Sequence, residues 1–319
     1  MTGSIEVKVT CKTEEATDIA SFELARLDGA PLPRFSAGSH IDVHIPGGLT
    51  RQYSLCNDST EQHRYRIAVL RDPASRGGST AMHDTVKEGD VIRISTPRNH
   101  FPLQHAKRSL LFAGGIGVTP LLCMAQRLAA IDADFTLHYC TRSEDRTAFI
   151  KEIEASDFSK RVKLHFDAGP PINRLDIVET LAEPAADKHL YVCGPGGFID
   201  FVINSAKNNG WGHEQIHLEY FANTPQDTSG NGKFEVRIAS TGKTYSVEAG
   251  QSITRVLQDN GIDVLTSCEQ GVCGTCITRV LEGEPDHRDL YFTDEEKAKN
   301  DQFTPCCSRS KSKLLVLDL

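Results

Sequence analysis

The cysteines near the end of this 319-residue chain constrain its fold more than any other feature. Four residues separate Cys268 from Cys273, and two residues separate Cys273 from Cys276. Cys306 follows Cys276 after another 29 residues. Two irons bridged by two sulfides need four thiolates, and this spacing is typical of a loop that binds such a cluster. A zinc site would favour two Cys-x2-Cys arms, and the sequence has one. The spacing therefore predicts a [2Fe–2S] site, with Cys306 or Cys307 as the fourth ligand.

Two glycines, Gly271 and Gly274, lie inside this cysteine loop. Glycine adopts a positive φ at little steric cost, so the backbone can wrap tightly around a cluster. A tight wrap also directs backbone N–H groups at the sulfurs, which tunes the reduction potential. The glycines therefore support the cluster interpretation.

The length and composition are those of a soluble globular protein with two or three domains. Hydrophobic residues make up 39% and charged residues 24%, and the net charge of −8 argues against a nucleic-acid partner. No signal peptide is visible. The longest apolar stretch, 110–125, is short for a membrane span and carries three glycines and a proline. We expect a cytoplasmic protein with no membrane contact.

The pattern of apolar residues changes twice along the chain. Short alternating runs broken by turn residues come first, and apolar strands alternating with helical patterns follow, with helices near 119–130, 148–155, 175–181 and 198–208. A polar, turn-rich stretch then precedes the cysteine region. We predict a multidomain chain: an antiparallel β-barrel over 1–106, an α/β domain with a parallel sheet over 107–223, a linker over 224–232 and a small α+β domain over 233–319.

Two glycine-rich turns each join a predicted strand to a predicted helix. The first contains Gly114, Gly115 and Gly117 and continues to Thr119, and the second runs from Cys193 through Gly194 and Pro195. Either turn alone is weak evidence, because a tight strand–helix turn needs glycine anyway. Two such turns at strand ends border the crevice where parallel sheets bind ligands. Together they predict a dinucleotide site, in which Arg142 would favour a 2′-phosphate or be an ordinary solvated side chain.

The barrel region holds two further candidate segments. Arg51, Tyr53 and Ser54 offer a guanidinium for phosphate, a ring that can pack on a flavin and a hydroxyl for its polar edge. The loop of Arg76, Gly77, Gly78, Ser79 and Thr80 offers backbone N–H groups and hydroxyls for a phosphate. Taken alone, the first segment is more readily an ordinary strand with a stacked Arg–Tyr pair, and the second can be a mobile surface loop.

Together these motifs resemble those of a known family. The stretch 266–276 looks like the loop of plant-type ferredoxins, and Pro305-Cys-Cys-Ser-Arg309 resembles the end of phthalate dioxygenase reductase relatives. The barrel segments, both glycine turns and Glu219-Tyr-Phe221 are similar to elements of the ferredoxin–NADP reductase superfamily. The order of the three regions matches the phthalate dioxygenase reductase and vanillate O-demethylase reductase branch over essentially the whole chain.

The resemblance implies a specific set of cofactors and site residues. The cofactors would be FMN rather than FAD, NADH rather than NADPH, and a [2Fe–2S] cluster in a β-grasp ferredoxin domain. The catalytic positions beside the flavin and nicotinamide would be Thr119, Cys193 and Phe221. Cys306 would be the fourth cluster ligand beside Cys268, Cys273 and Cys276. The cofactor-binding residues would be Arg51, Tyr53, Ser54, Arg76, Gly77, Gly78, Ser79, Thr80, Gly114, Gly115, Gly117, Thr119, Arg142, Cys193, Gly194, Pro195 and Phe221.

These parts imply an electron-transfer enzyme. A flavin can accept two electrons from NADH and release them singly to a cluster, which then reduces a partner. We expect the monomeric reductase component of a Rieske-type oxygenase or demethylase. A P450 or diiron oxygenase is an alternative acceptor, and a non-catalytic iron–sulfur redox sensor is a further alternative that the flavin segments disfavour. The substrate of the partner is not encoded in this chain.

Overall fold

The computed structural model describes residues 4–75, 77–168, 170, 173–222, 228 and 230–319. The chain divides into two compact units, Met1–Phe221 and Ala222–Leu319. We call them the first and the second unit and describe each by itself. Arg76 lies outside the described residues, as does most of the predicted linker. The predicted domain boundaries therefore stay a prediction.

The first unit begins with an antiparallel sheet. Turn residues interrupt short β-rich runs, so the chain reverses after each strand and buries one face of the sheet. Val43, Ile67 and Ile94 are among the side chains of this core. The strand order is β4-β3-β6-β1-β2-β5, and β7 pairs with β3. The elements are β1 Ser4–Ala16, β2 Ile19–Arg26, β3 Ser39–Ile45, β4 Leu49–Ser54, β5 Tyr65–Leu70, α1 Gly78–Asp84, β6 Val91–Ser95 and β7 Arg98–Asn99.

A five-stranded parallel sheet follows in the same unit. Its order is β10-β9-β8-β11-β12, so the chain order reverses between the neighbours β8 and β11. The apolar stretch 110–125 forms most of β8, the first glycine turn and the start of α2. The elements are β8 Arg108–Gly114, α2 Val118–Ala130, β9 Asp134–Thr141, α3 Ile150–Ala155, β10 Val162–Phe166, α4 Ile177–Thr180, β11 Lys188–Gly194, α5 Gly196–Asn208 and β12 Ile216–Tyr220.

Helices cover both faces of the parallel sheet. One core joins α2 and α3 to the sheet and also includes Ile19 and Ala68 of the antiparallel sheet. The other core lies under α5 and contains the single tryptophan, Trp211. The helix predicted over 175–181 is shorter than expected, because Asp176 caps it and it ends at Thr180. None of the helices in the described part of the chain has the length and apolar character that a membrane span requires.

The second unit is a small α+β fold. Its five-stranded sheet has the order β14-β13-β19-β15-β17, in which β13 and β19 are parallel. The helix α6 begins after Ser252, whose hydroxyl accepts a hydrogen bond from the N–H of Arg255. The elements are β13 Phe234–Ile238, β14 Thr244–Val247, α6 Ile253–Asp259, β15 Thr278–Glu282, β16 Pro285–Asp286, α7 Asp294–Lys297, β17 Gln302–Phe303, β18 Arg309–Ser310 and β19 Leu314–Leu317.

Candidate cofactor and electron-transfer sites

The two glycine turns of the first unit pack directly against each other. A Cβ placed on Gly117 would lie 2.2 Å from the carbonyl oxygen of Cys193, and one on Gly194 would lie 2.9 Å from the Cα of Gly114. Both turns follow the carboxyl ends of β8 and β11, where the strand order reverses. Ligands of open α/β sheets bind at such a switch point. Gly117 and Gly194 therefore let the two turns pack in direct contact at the switch point, and Gly115, whose Cβ would meet no atom within 4 Å, leaves its backbone open to a ligand.

Two helices begin at these turns. Thr119 lies in the first turn of α2, is buried, and donates a hydrogen bond to the carbonyl oxygen of Ile116 at 3.1 Å. Pro195 immediately precedes α5, and Phe198 of that helix packs against Gly114. The N-termini of α2 and α5 therefore both start at the crevice. Helix N-termini favour negative charge, so the arrangement can hold a pyrophosphate.

Glu219 is a candidate site residue that belongs to the motif Glu219-Tyr-Phe221 but was given no role of its own from the sequence. It lies beside Cys193 in the register of β11 and β12. Burial raises the pKa of the Glu219 carboxyl to about 8, although a hydrogen bond from Ser54 Oγ opposes the shift. Burial, with a smaller effect of the Glu219 charge, also raises the pKa of the Cys193 thiol. A carboxyl inside the otherwise apolar and aromatic run 216–221 was the signal that could have found it.

The hydrogen bond from Ser54 links two predicted motifs. Ser54 is the last residue of β4 in the antiparallel sheet, and its Oγ lies 3.4 Å from Oε2 of Glu219 on the parallel sheet. Ser54, Glu219 and Cys193 therefore form a continuous row across the two sheets. Phe221 follows directly after β12 and is 37% exposed. The row therefore places polar side chains where the two sheets meet.

The predicted phosphate segments of the antiparallel sheet also meet. A Cβ on Gly78 would lie 2.7 Å from Cγ and 2.8 Å from Nε of Arg51, so the arginine side chain crosses directly over this glycine. Gly77 has a φ of 88° and precedes α1. Ser79 Oγ accepts a hydrogen bond from the N–H of Asp72 at 3.2 Å, and Thr80 is exposed. The Arg51 guanidinium lies beside the backbone of Gly78 at the start of α1. Such a group suits the phosphate of a flavin nucleotide, so these residues fit FMN.

Tyr53 and Arg142 are the other predicted flavin and nucleotide residues with described surroundings. Tyr53 of β4 is partly buried, and burial raises the pKa of its phenol while the charge of Arg51 lowers it. Arg142 is exposed directly after β9, and its carbonyl oxygen accepts a hydrogen bond from the N–H of Ala168. Arg142 is therefore an accessible cation at the carboxyl end of β9.

The four predicted cluster ligands of the second unit are all buried, and their thiols contact one another. The pKa of the Cys268 thiol is lowered because the thiols of Cys273 and Cys306 donate hydrogen bonds to it. Cys306 also contacts Cys276. Within the described ranges, no group of three or more His, Cys, Asp or Glu side chains is arranged to hold a single metal ion. Four adjoining thiols provide the donor set of a [2Fe–2S] cluster.

The backbone of the cysteine loop directs N–H groups at these sulfurs. The N–H of Gln270 donates to Sγ of Cys268 at 3.3 Å, and that of Thr275 donates to Sγ of Cys273 at 3.5 Å. Gly271 and Gly274 have φ values of 71° and 70°, the left-handed conformation that a tight loop requires. Buried thiolates stabilised by N–H donors fit an iron–sulfur cluster.

Cys307 differs from its neighbour Cys306 in its surroundings. Its Sγ lies 3.3 Å from Oγ1 of Thr304 and would be 2.3 Å from a Cβ on Gly271. It is also less buried than Cys306 and contacts that thiol. Cys306 is therefore the residue that touches both Cys268 and Cys276, whereas Cys307 packs behind the loop.

Comparisons with known proteins agree with this geometry. Residues 236–311 match the family model of the 2Fe-2S iron-sulfur cluster binding domain. The chain is 58% identical to a vanillate O-demethylase oxidoreductase of Pseudomonas putida over 99% of this chain and all of that protein. The solved structure of phthalate dioxygenase reductase, described as modular for electron transfer from pyridine nucleotides to [2Fe-2S], matches 99% of this chain and 98% of its own, with 42% identity and a TM-score of 0.81.

The chain belongs to the family of vanillate O-demethylase oxidoreductases and phthalate dioxygenase reductases. Membership confirms the family resemblance, the fold class and the oxidoreductase activity as the reductase component of an oxygenase or demethylase system. It also confirms the flavin, pyridine-nucleotide and [2Fe–2S] chemistry expected of this family. A self-sufficient type IV cytochrome P450 monooxygenase is also similar, with 36% identity, a TM-score of 0.83, and 99% of this chain matched to 41% of that one.

Proposed function

We propose that this protein is an NADH-dependent FMN reductase that supplies single electrons, through its [2Fe–2S] cluster, to the Rieske-type oxygenase of a vanillate O-demethylase. The observation that carries the proposal is the direct contact between the Gly117 and Cys193 turns, which pack together at the switch point of the parallel sheet. The 58% identity to a vanillate O-demethylase oxidoreductase supports the choice of partner. The predicted monomeric state and cytoplasmic location stay predictions.

The residues around the first unit's crevice would each bind a defined part of a cofactor. When bound, FMN supplies the conversion of a two-electron donor into single electrons. Arg51 and the segment Gly77–Thr80 would hold its phosphate, because the guanidinium and the start of α1 adjoin. Tyr53 would pack on the ring. A flavin held by one terminal phosphate fits this short segment, which supports FMN over FAD.

The second part of the crevice would orient the nucleotide. Gly115 would leave the backbone open to the pyrophosphate just before α2, and Gly114 and Gly117 let the second turn pack against the first. Thr119, the Cys193 turn and Phe221 would bound the nicotinamide position. Arg142 is an exposed cation directly after β9, and nearby Arg146 is paired with Asp18. These two arginines are not the dense basic cluster that a 2′-phosphate favours, which supports NADH over NADPH.

Ser54 and Glu219 would control protons and water beside the flavin. With a pKa of about 8, the Glu219 carboxyl is mostly protonated at neutral pH and can donate as well as accept a hydrogen bond. Ser54 holds its Oε2 from the opposite sheet. The pair therefore presents an uncharged polar surface, which avoids an unpaired negative charge beside an electron-rich flavin.

A second candidate function is electron supply to a cytochrome P450. A self-sufficient P450 monooxygenase, with 36% identity and a TM-score of 0.83, favours this function. Nearly the whole of this chain matches 41% of that protein, so in that protein a similar reductase portion is joined to a P450 in one chain. The two candidates differ only in the acceptor, so they share the sites described above.

The test is reconstitution with purified terminal components. The protein is mixed with NADH, vanillate and the oxygenase component that serves the Pseudomonas putida relative, and loss of vanillate and of NADH is followed. We expect coupled consumption of both. NADH oxidation that is rapid with ferricyanide but never coupled to vanillate would reject this partner. Reduction of a P450 haem under the same conditions would favour the second candidate.

A further inference from the structure

A short segment of the second unit, 287–292, packs against the cysteine loop. Its centre is Asp289, which is buried and accepts hydrogen bonds at Oδ2 from the N–H of Tyr291 at 3.2 Å and of Phe292 at 2.9 Å. The other carboxylate oxygen, Oδ1, lies 3.5 Å from Nδ1 of His287 and makes no hydrogen bond within the described part of the chain. A buried carboxylate thus fixes the turn in which Tyr291 stands.

Asp289 and Leu290 both contact the cysteine loop at Gly271. A Cβ on Gly271 would lie 2.9 Å from the Cβ and 3.0 Å from the Cα of Asp289. The N–H of Leu290 donates a hydrogen bond to the carbonyl oxygen of Gly271 at 3.0 Å. Lys297 secures the other side, because its Nζ donates to the carbonyl oxygen of Asp289 at 2.8 Å. Gly271 lies between Cys268 and Cys273, two of the predicted cluster ligands, so these contacts hold the ligand loop itself.

Tyr291 covers the same loop at Gly274. A Cβ on Gly274 would lie 2.5 Å from two ring carbons of Tyr291 and 2.9 Å from its hydroxyl oxygen. Gly274 directly follows Cys273, so the ring packs on the loop backbone beside that predicted ligand. The ring is 36% exposed, so one face rests on the loop while the other meets solvent.

We propose that Asp289 and Tyr291 are positioning residues that set the reduction potential of the [2Fe–2S] cluster. Asp289 places a buried carboxylate behind the loop and fixes the turn, and Tyr291 covers the loop at Gly274, next to Cys273, and limits the access of water there. The inference rests on the proposed function only in requiring that the four cysteines hold this cluster.

The direction of the effect follows from charge. One-electron reduction adds one negative charge to a cluster whose four thiolates already make it anionic. A neighbouring carboxylate opposes that charge, and exclusion of water removes the solvation that would stabilise it. Both residues therefore lower the potential, and losing either one raises it. A lower potential gives a stronger driving force for electron delivery to the partner.

The test is a redox titration of the purified holoprotein by visible absorption and low-temperature EPR. Asp289→Asn keeps an acceptor for both N–H groups and removes the charge, and Tyr291→Ala removes the shield. Tyr291→Phe keeps the ring, whereas Asp318→Asn and Leu281→Ala change exposed residues of the same unit away from the loop. Iron and sulfide content shows which variants keep the cluster.

We expect Asp289→Asn and Tyr291→Ala each to raise the ratio of reduced to oxidised cluster at a fixed potential at least threefold, with Tyr291→Phe and both controls close to wild type. Unchanged potentials in loaded Asp289→Asn and Tyr291→Ala would overturn the inference. A lowered potential in either variant would also overturn it. Wild-type protein that carries no cluster would instead reject the function on which the inference rests.

Discussion

Ser54 Oγ of the antiparallel sheet donates a hydrogen bond to Oε2 of Glu219 on the parallel sheet, with 3.4 Å between the two atoms. The carboxyl that accepts it has a pKa of about 8, because burial disfavours its charged form. Cys193 stands beside it in register. This row of three side chains joins the predicted flavin and nucleotide segments, so its protonation state should be measurable in stability and in turnover.

The first prediction concerns stability and pH. In the unfolded chain Glu219 ionises near its usual pKa of 4.5, whereas the folded chain keeps the proton to about pH 8. Between these values the unfolded state is favoured as pH rises, so the free energy of unfolding should fall by up to about 1.4 kcal/mol per pH unit relative to Glu219→Gln. Above pH 8 the difference should stay constant.

Urea unfolding followed by tryptophan fluorescence measures this difference. The single tryptophan, Trp211, is buried in the same unit as Glu219 and reports on its unfolding. The comparison of wild type with Glu219→Gln cancels the other titrating groups. Parallel pH profiles for the two proteins would show that Glu219 is not protonated in the folded state.

The second prediction tests the contact between the glycine turns. Gly117→Ala places a Cβ where only 2.2 Å separates it from the carbonyl oxygen of Cys193, so the two backbones must move apart. We expect the KM for NADH in ferricyanide reduction to rise tenfold or more. Gly250→Ala is the matched control, since its Cβ would meet no atom within 4 Å. An unchanged KM in a folded Gly117→Ala variant would separate the crevice from NADH binding.

The third prediction identifies the fourth cluster ligand. Cys306 contacts Cys268 and Cys276, and Cys307 packs against Gly271 and Thr304. We expect Cys306→Ser to lose the cluster's iron and acid-labile sulfide and Cys307→Ser to retain them. Both variants should reduce ferricyanide with NADH at the wild-type rate, because that reaction needs only the first unit. The reverse result, with the cluster lost only in Cys307→Ser, would exchange the two roles.

The fourth prediction concerns flavin retention. Arg51 lies across Gly78 at the start of α1, and a hydrogen bond to a charged group contributes about 1.5–3 kcal/mol. Arg51→Gln should therefore weaken FMN binding at least tenfold, as measured by the flavin fluorescence released on dilution. Arg93→Gln removes an exposed arginine from the same sheet and should bind FMN normally. Equal retention by both variants would place the phosphate elsewhere.

Much of the fold follows from local sequence patterns. Glycines after apolar runs marked the carboxyl ends of β8 and β11, and the alternation of strand and helix patterns predicted the parallel sheet, since both signals depend only on neighbouring residues. The cysteine spacing likewise predicts the cluster loop, because it does not depend on the surrounding sheet. These signals are short-range, so one sequence is enough to detect them.

The side chains that meet across distant segments were not predictable. Ser54 and Glu219 are separated by 165 positions, and the pairing depends on how two sheets pack. Asp289 and Tyr291 contact Gly271 and Gly274, 18 and 17 positions earlier in the chain, through a turn that no periodic pattern marks. Such contacts are set by tertiary packing rather than by local propensity.

The most direct test of the central claim is an anaerobic titration of the purified protein with NADH, followed by visible absorption and low-temperature EPR. We expect NADH to bleach the flavin and to produce the rhombic EPR signal of a reduced [2Fe–2S] cluster in the same titration. Bleaching of the flavin without any cluster signal would contradict it, because the cysteine loop would then hold no cluster that the flavin can reduce.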